Sequence, residues 1–470
     1  MLPKPDKCKG CPFYGDGQGF VPAEINPGSR VLMMAQNPGE NEEKGEKVIG
    51  YQGKLALTEN VPPAPLIGPT GFYMAREFLP IAGMTRESAS YDNAIRCRKG
   101  HSNFLPPLTN PQMREALEHC HHAYFQVPTT TELIVAQGEY ALYAMTQKGL
   151  EVGHKVSDWR GYVLPLSPLG LPETIINDVW TPGPLYYSVP VLVVNHLAAL
   201  FRSPELIMPA KYDWSKIPRI LANKWPQKPP AILTSGPPVW PDKFAFDTEY
   251  VPSNNHLIRY SMAYPAPSEN LEMVVRVVER EEALYGGAVL MTKPTLILQN
   301  ADADLDHFEE IAGANEYAFE DTMHAHAVLW SGQPHDLNFL GSMYAPFNRW
   351  KHLEYTNPIV YSGLDAAGTW YAWEALAREF RRDPRSETVY REYQLPLVNI
   401  IRRAKSKGIR VNQENALRIT GELKDAVDRL NIKAEALVGW PINIASNDQT
   451  SLQLYEVEQI QDYALPGRKK

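Results

Sequence analysis

Cysteine is scarce. There are four in 470 residues, at positions 8, 11, 97 and 120, all in the first quarter of the chain. A disulfide-stapled secreted scaffold would spread its cysteines and follow a leader. The opening MLPKPDKCKGCPFYG contains no apolar signal region. Long apolar runs are missing as well. Val31–Ala35 and Val189–Val194 are typical of the longest, far short of the ~18 residues of a membrane helix. Positive charge is not in excess, since the net charge is −8, so any nucleic-acid contact has to use local basic patches. These absences argue against membrane, secreted and fibrous classes. A hydrophobic content of 44% argues against a wholly disordered chain.

Proline, by contrast, is plentiful at 41 residues, and six of these fall in 226–241, PQKPPAILTSGPPVWP. That stretch reads as a stiff linker. Length alone allows roughly two to four domains. The chain divides into 1–225, the linker 226–241, a second domain over 242–390 and a tail over 391–470. Residues 1–225 alternate strands (Val31–Ala35, Leu133–Ala136, Val189–Asn195) with helices near Gly71–Ala82 and Glu139–Thr146, the pattern of an α/β sheet with its ligand site at the strand ends. After the linker, Lys243–Tyr250 and Thr295–Gln299 read as strands and Ala366–Arg382 as a helix. From Gln394 onward the pattern is helical, with an apolar stripe at Leu417, Leu423, Val427, Leu430 and Leu437.

Cys8 and Cys11 form CxxC, and with Cys97 and Cys120 they supply four thiolates. Such a set suits tetrahedral zinc or an iron–sulfur cluster, or it is simply a group of reduced buried thiols. The long Cys97–Cys120 spacing tilts the choice towards a cluster gathered by the fold. Polar groups recur at strand ends: Gln36, Asn37 and Gly39 in AQNPG, then Asn93, Gln137-Gly138 and Asn195-His196. Each is weak alone, but at the carboxyl ends of one sheet they converge on one crevice.

Taken in order, these segments resemble the family 4 uracil-DNA glycosylases over roughly residues 6–220. CKGCPF is similar to the family's leading CxxC, VLMMAQNPGENEEKG to its GEAPGxxED loop and LIGPTGFYM to its VGxxG segment. YDNAIRCRKG is similar to TNxxKCRP, LEHC supplies a fourth cysteine, LIVAQGEYAL is similar to the central strand–Gly–helix, and VVNHLAALFRSPEL to HPxxLLRxP. The resemblance implies a uracil-DNA glycosylase-like α/β/α sandwich and a [4Fe–4S] cluster on Cys8, Cys11, Cys97 and Cys120. It also implies that Asn93 reads the flipped uracil and that His196 donates to the oxygen where charge develops. Asn37 stands at the position that orients water in other branches. Two departures are visible: Leu66 (or Val48) stands where the family has a stacking Phe, and Leu197 replaces the motif proline. Residues 50–65 read as an inserted loop. A glycosylase-fold module that binds DNA or uracil without excision is therefore the alternative.

Beyond the linker, KFAFDTEY places Asp247 and Glu249 on one side of a strand, with Phe244 and Phe246 read into the same register. A carboxylate pair there calls for a neutralising cation, and oxygen ligands suit Mg²⁺ or Mn²⁺. Asn300 and Asp304 follow in ILQNADADLDHF, and Tyr361 and Asp365 in YSGLDAAGTW, an i,i+4 pair. DxE, NxxxD and YxxxD in this order resemble the motifs of DnaQ-like 3′–5′ exonucleases, most of all the proofreading domain of phage-type family A DNA polymerases. The resemblance implies an RNase H-like fold and two Mg²⁺ or Mn²⁺ ions on Asp247, Glu249, Asp304 and Asp365, with Tyr361 orienting water. Asp321 would be a structural cap, and His324 and His326 packing groups. Gln299 stands where such enzymes often carry His.

The tail is similar to the start of a polymerase thumb. QLPLVNIIRRAKSKGIRVN carries Arg402, Arg403, Lys405, Lys407 and Arg410, five cations in nine residues, suited to duplex phosphates. Positive charge is expected there and near Arg96–Lys99. With no palm or fingers motifs in view, the expectation is a nuclease and a glycosylase acting on uracil-containing DNA and single-stranded 3′ ends. A separate polymerase chain would be a partner. The expected place is the cytoplasm, of the bacterial host if phage-encoded.

Overall fold

The computed structural model describes residues 1–15, 17–99, 105–149, 155–167, 169, 189–234, 241–266, 273–280, 293–312 and 317–458. Residues 235–240 of the expected linker and the last twelve residues lie outside these. The chain forms two compact units, Met1–Asn399 and Ile400–Lys470.

The first unit holds two main sheets. The amino-terminal one runs in the order Ala89–Asn93, Val31–Ala35, Leu133–Gln137, Pro190–Val194, Val163–Pro165. The first four strands are parallel and the last is antiparallel. Every residue of Val31–Ala35 and Leu133–Gln137 is buried, as expected of strands covered on both faces, and this is why they read as continuous apolar runs. One face packs with Met74, Phe78 and Trp214, the other with Met113, Leu117 and Met145. The helix expected over Gly71–Ala82 is shorter: Pro69–Tyr73 is α-helical and Met74–Phe78 continues as a π turn. The inserted loop is an ordered hairpin, Glu46–Gln52 with Leu55–Asn60. Gly53 at φ +62° opens its two-residue turn, a conformation that glycine adopts without strain.

The second sheet runs Ile232–Leu233, Met273–Glu279, His256–Pro265, Lys243–Val251, Thr295–Leu298, Ala318–Asp321. Three neighbouring antiparallel strands are followed by two parallel ones, the RNase H-like arrangement. Ile232–Leu233, inside the expected linker, adds a parallel edge strand to this sheet. Helix Pro358–Arg382 covers one face, packing Leu364, Ala367 and Leu376 with Ala245 and Ala263. Phe244 and Phe246 belong to the opposite face with Phe308. This corrects their expected register: residues 244 and 246 alternate with 245, 247 and 249, so the phenylalanines and the carboxylates point to opposite faces.

The two sheets are joined by a buried polar contact. Arg160 makes a two-pronged pair with Asp213, at 2.8 and 2.6 Å, and donates to Ser342 Oγ at 2.9 Å. Lys216 donates to the carbonyls of Gly161 and Ser342. Burial pushes the Lys216 pKa down to about 7, against the opposing pull of Asp213. Tyr162 Oη donates to Asn338 O at 3.1 Å, and Val163 N–H to Asn348 Oδ1 at 3.1 Å.

In the second unit the helix Gln413–Val438 contains no buried residue. It follows helix Leu395–Lys407, so the tail is helical as expected. No described helix is long and apolar enough to cross a membrane.

Candidate active sites

The first candidate site lies at the ends of the parallel strands. Asn93 ends its strand beside Ala35, and Gln137 ends its strand beside Val194. Alternation puts Asn93 on the face of Tyr91, and Gln137 on the face of Leu133 and Val135, where Leu66 and Met74 pack. Both side-chain atoms of Asn93, Gln137 Oε1 and Asn195 Nδ2 are buried with no hydrogen-bond partner. Each such group costs about 1–3 kcal/mol, and four in one neighbourhood are what a site awaiting a polar ligand would show.

Gly138 brings the remaining groups close. At φ +88°, a Cβ there would fall 2.1 Å from Gln36 Nε2 and 2.9 Å from His196 Cβ. His196 caps the short helix Leu197–Leu200, its Nδ1 accepting from Ala198 N–H at 3.2 Å. Burial, then the Arg202 charge, push its pKa down to about 4, so the ring is neutral at pH 7. A neutral imidazole that accepts at Nδ1 carries its proton on Nε2 and offers it as a donor. Asn37 Nδ2 lies 3.2 Å from Pro38 O. Gly39 precedes helix Glu40–Lys44 and donates its N–H to Glu42, whose pKa burial raises to about 7. Leu66 is held at φ +54°. Arg86 donates to its carbonyl at 2.7 Å, and Gly71 crowds that same oxygen so closely that a Cβ would sit 1.6 Å away. Its side chain belongs to the core.

The four cysteines line one pocket together with Lys4, Arg96 and Tyr124, and none is in a disulfide. Phe13 N–H points at Cys11 Sγ and Arg96 N–H at Cys120 Sγ, both at 3.4 Å, and Tyr124 Oη lies 3.1 Å from Cys8 Sγ. Burial raises the Cys97 thiol to about 11 and the Cys120 thiol to about 12. Four converging sulfurs with N–H groups aimed at two of them fit a thiolate-bound cluster. The expected basic patch at Arg96–Lys99 is corrected by its ion pairs. Arg96 grips buried Asp92 at 2.9 and 2.7 Å, and Arg98 is buried against Glu43 at 2.9 Å. Arg96 thereby ties the cysteine segment to strand Ala89–Asn93 and Arg98 ties it to helix Glu40–Lys44, so neither charge forms an exposed surface.

The second candidate site is anionic. Ligand oxygens of Asp247, Glu249 and Asp365 lie within 4.8 Å of one another. The strand supplies the first two and the Pro358–Arg382 helix the third. Asp304 is turned towards the strand, accepting from Thr248 N–H at 2.9 Å and Thr248 Oγ1 at 2.5 Å. Burial, then the charges of Asp365, Asp304 and Glu249, push the Asp247 pKa well up, and one of its oxygens is buried without a partner. Burial and Asp365 raise Glu249, and burial raises Asp304 to about 7. Acids held this far from their ordinary range are poised for cations.

Residues 234–356 match the family model for a 3′–5′ exonuclease of the DNA polymerase A type. The amino-terminal half is similar to type-4 uracil-DNA glycosylases. That of Saccharolobus solfataricus is 21% identical over 220 residues, 46% of this chain and 83% of the relative. That of Archaeoglobus fulgidus is 24% identical over 223 residues, 47% and 90%. That of Thermotoga maritima is 28% identical over 137 residues, 29% and 59%. Among solved structures, Brucella melitensis NrnC with bound Mg²⁺ aligns with a TM-score of 0.29 at 15% identity, covering 36% of this chain and 89% of that one. Escherichia coli RNase D aligns at 0.26 and 16%, covering 35% and 45%. The chain thus joins a 3′–5′ exonuclease domain to an amino-terminal half that is similar to type-4 uracil-DNA glycosylases.

Within the exonuclease domain, Asp321 caps helix Thr322–Leu329, accepting from His324 N–H at 3.1 Å, and also holds Ala301 N–H at 2.7 Å. Asn300, directly before Ala301 and just after strand Thr295–Leu298, adopts φ +66°. His326 is fully buried against His335, with Nδ1 atoms 2.8 Å apart, and burial lowers its pKa to about 3. Gln299 donates to His335 O at 2.8 Å. Tyr361 lies one helical turn before Asp365, and burial and that carboxylate raise its pKa. Sequence reasoning missed four groups that contact the acids: Thr248, Trp350, Lys351 and Ser362, whose Oγ lies 3.5 Å from Glu249 Oε1. Trp350 Nε1 donates to Asp365 Oδ1 at 2.5 Å, and Lys351 Nζ lies 2.8 and 2.7 Å from the two Asp365 oxygens. Thr248 was readable in principle, since it sits between Asp247 and Glu249. Trp350 and Lys351 carry no such signal. In the second unit Arg403 and Lys405 are exposed and Arg402 is half-buried.

Proposed function

We propose that the chain is a bifunctional DNA-processing enzyme, a metal-dependent 3′–5′ exonuclease fused to a uracil-DNA glycosylase. The observation that carries the exonuclease reading is the convergence of Asp247, Glu249 and Asp365 inside and beside the matched segment. Asp247, Glu249, Asp304 and Asp365 would hold two Mg²⁺ or Mn²⁺ ions. Bound there, these ions would supply an activated water and charge stabilisation at the leaving 3′ oxygen. The chain's own residues set the geometry. Strand and helix hold three acids on one face, Thr248 fixes Asp304, and Tyr361 orients the water. A 3′-labelled single-stranded DNA should be degraded by wild type with Mg²⁺ or Mn²⁺. Equal degradation by Asp247→Ala would end this reading.

In the glycosylase half, Asn93 offers a donor and an acceptor to the Watson–Crick edge of an extruded uracil. His196 Nε2–H donates to the uracil oxygen as negative charge builds on the leaving base. Gln36 and Gly39 shape the mouth of the pocket, and Asn37 stands where water would be oriented. Cys8, Cys11, Cys97 and Cys120 would hold a [4Fe–4S] cluster that orders the loops between them. A second reading keeps this half as a DNA- or uracil-binding module serving a separate polymerase chain. What favours it is Leu66, an aliphatic side chain where a stacking ring would be needed. Alkali-sensitive strand breaks in uracil-containing DNA, lost in His196→Ala, support excision, whereas binding without breaks supports the module. The tail, through Arg402, Arg403 and Lys405, would follow duplex phosphates, and the cytoplasm, of the bacterial host if phage-encoded, is the compartment this activity fits.

A further inference from the structure

Lys351 bonds to one acid of the carboxylate cluster, Asp365, and no part of the two-ion reading requires it. It opens the short turn Lys351–Leu353, directly after Trp350, which is buried. Consecutive residues therefore grip the same acid: Trp350 Nε1–H and the Lys351 ammonium both donate to Asp365. The ammonium also lies 3.2 Å from Tyr361 Oη and 4.8 Å from the centre of that ring. Its charge reaches Asp247 and Glu249, lowering both against the effect of burial. Arg259 also faces Glu249, but it is paired with Glu279 at 3.1 Å. Among the described residues, Lys351 is thus the cation that bonds directly to a cluster carboxylate and to the tyrosine.

We propose that Lys351 is a built-in counter-ion of this site. It holds Asp365 and Tyr361 in place while divalent cation is absent, and it must give up at least one Asp365 oxygen when the cation binds. The physical reason is competition for the same oxygens. A divalent ion coordinated by Asp365 would sit ~2.0–2.1 Å from a carboxylate oxygen. An ammonium bonded to both oxygens of that carboxylate has to give up at least the oxygen the ion takes, and the two like charges repel. Three consequences follow: the metal-free cluster is kept from flying apart by its own charge, metal affinity is set lower than four carboxylates alone would give, and the displaced ammonium stays tethered beside Tyr361. Lys351 is on this view a positioning residue, acting on Tyr361 and Asp365. The proposal rests on the exonuclease reading of the cluster.

The test uses the full-length chain and Mn²⁺ alone, titrated by calorimetry and by the electron paramagnetic resonance of free Mn²⁺, with Asp365→Asn marking the signal that belongs to this site. Lys351→Met is expected to bind Mn²⁺ about tenfold tighter, the scale on which one adjacent charge shifts a carboxylate. Its metal-free melting temperature should fall and its Mn²⁺-induced rise should grow. Lys351→Arg, which keeps the charge, should stay within about threefold of wild type. Exonuclease kcat should fall in Lys351→Met even as metal binding tightens, a split that simple loss of structure would not produce. If Lys351→Met does not fold, Lys351→Gln carries the same comparison. Equal or weaker Mn²⁺ binding in the uncharged variant, with unchanged metal-free melting, overturns the proposal. Failure of wild type to bind Mn²⁺ at this site would instead sink the exonuclease reading itself, and the proposal with it.

Discussion

The amino-terminal site buries neutral groups, the amides of Asn93, Gln137 and Asn195 and an imidazole kept uncharged. The exonuclease-domain site buries acids whose pKa values are pushed upward, opposed by Lys351. Both are unfavourable as they stand, but for different reasons. An orphaned amide lacks a partner dipole, while a crowded carboxylate lacks a counter-charge. The remedy in each case points to the ligand. A planar base edge with donors and acceptors would complete the first site, and hard divalent cations would complete the second. The same contrast explains why both can occupy one body, with Arg160 and Asp213 buried between them. On the proposed reading, neutral recognition at one site would not repel the polyanion that the other, once loaded with metal, would attract.

The sharpest way to break this comparison is chelation. EDTA should abolish exonuclease activity, and Asp247→Ala should lower it by about 10³-fold or more even with Mg²⁺ restored, since it removes a ligand of the transition-state charge. Uracil release, measured in the same samples, should change little. Parallel loss of both activities would mean the two sites are not chemically independent.

Arg160→Ala probes the shared body. It strands the Asp213 carboxylate, 0% exposed, without its guanidinium. Breaking such a pair from one side costs about 3–5 kcal/mol, read as a shift in the urea midpoint. Both activities should then fall together with temperature. Loss of one alone would show that the halves unfold separately.

His196→Ala should cut uracil release by about 10²-fold, the scale for one donor to a developing oxyanion, with exonuclease rates unchanged. Retained excision would remove the Nε2 donor from the mechanism and shift attention to the orphaned amides.

How much of this was legible in the chain follows from the same contrast. Carboxylate motifs have fixed periods, so DxE placed Asp247 and Glu249 on one side of a strand and YxxxD placed Tyr361 and Asp365 on one helix face, while their meeting at one site was implied only by the resemblance to DnaQ-like exonucleases. Strands buried on both sides were equally readable from Val31–Ala35 and Leu133–Ala136. Hidden from view were contacts made across the fold. Lys351 reaches Asp365 from a short turn fourteen residues away in sequence, and nothing in RWKHL distinguishes it from a surface lysine. Arg96 and Arg98 read as a basic patch, because their partners Asp92 and Glu43 are acids of no visible pattern. Phe244 and Phe246 are a different case. The period of two already separates them from Asp247 and Glu249, so their face was legible and only the reading of it was wrong.

The smallest expected effect concerns pH. Burial, followed by the Arg202 charge, depresses the folded pKa of His196 from an ordinary value near 6.5 to about 4. A depressed histidine favours the folded state only while it stays neutral. Its contribution is therefore complete above pH ~6.5 and is lost as pH falls towards 4. Uracil release by wild type should accordingly change by less than about twofold between pH 7.5 and 5, with no inflection near 6.5. Urea midpoints should drop between pH 6.5 and 4, less steeply in His196→Asn, which has no proton to take up. A rate inflection near 6.5 that vanishes in His196→Asn would place the imidazole in solvent and in its charged form during the reaction. The amino-terminal site would then be neutral only in its amides, and the contrast with the carboxylate cluster would shrink to that.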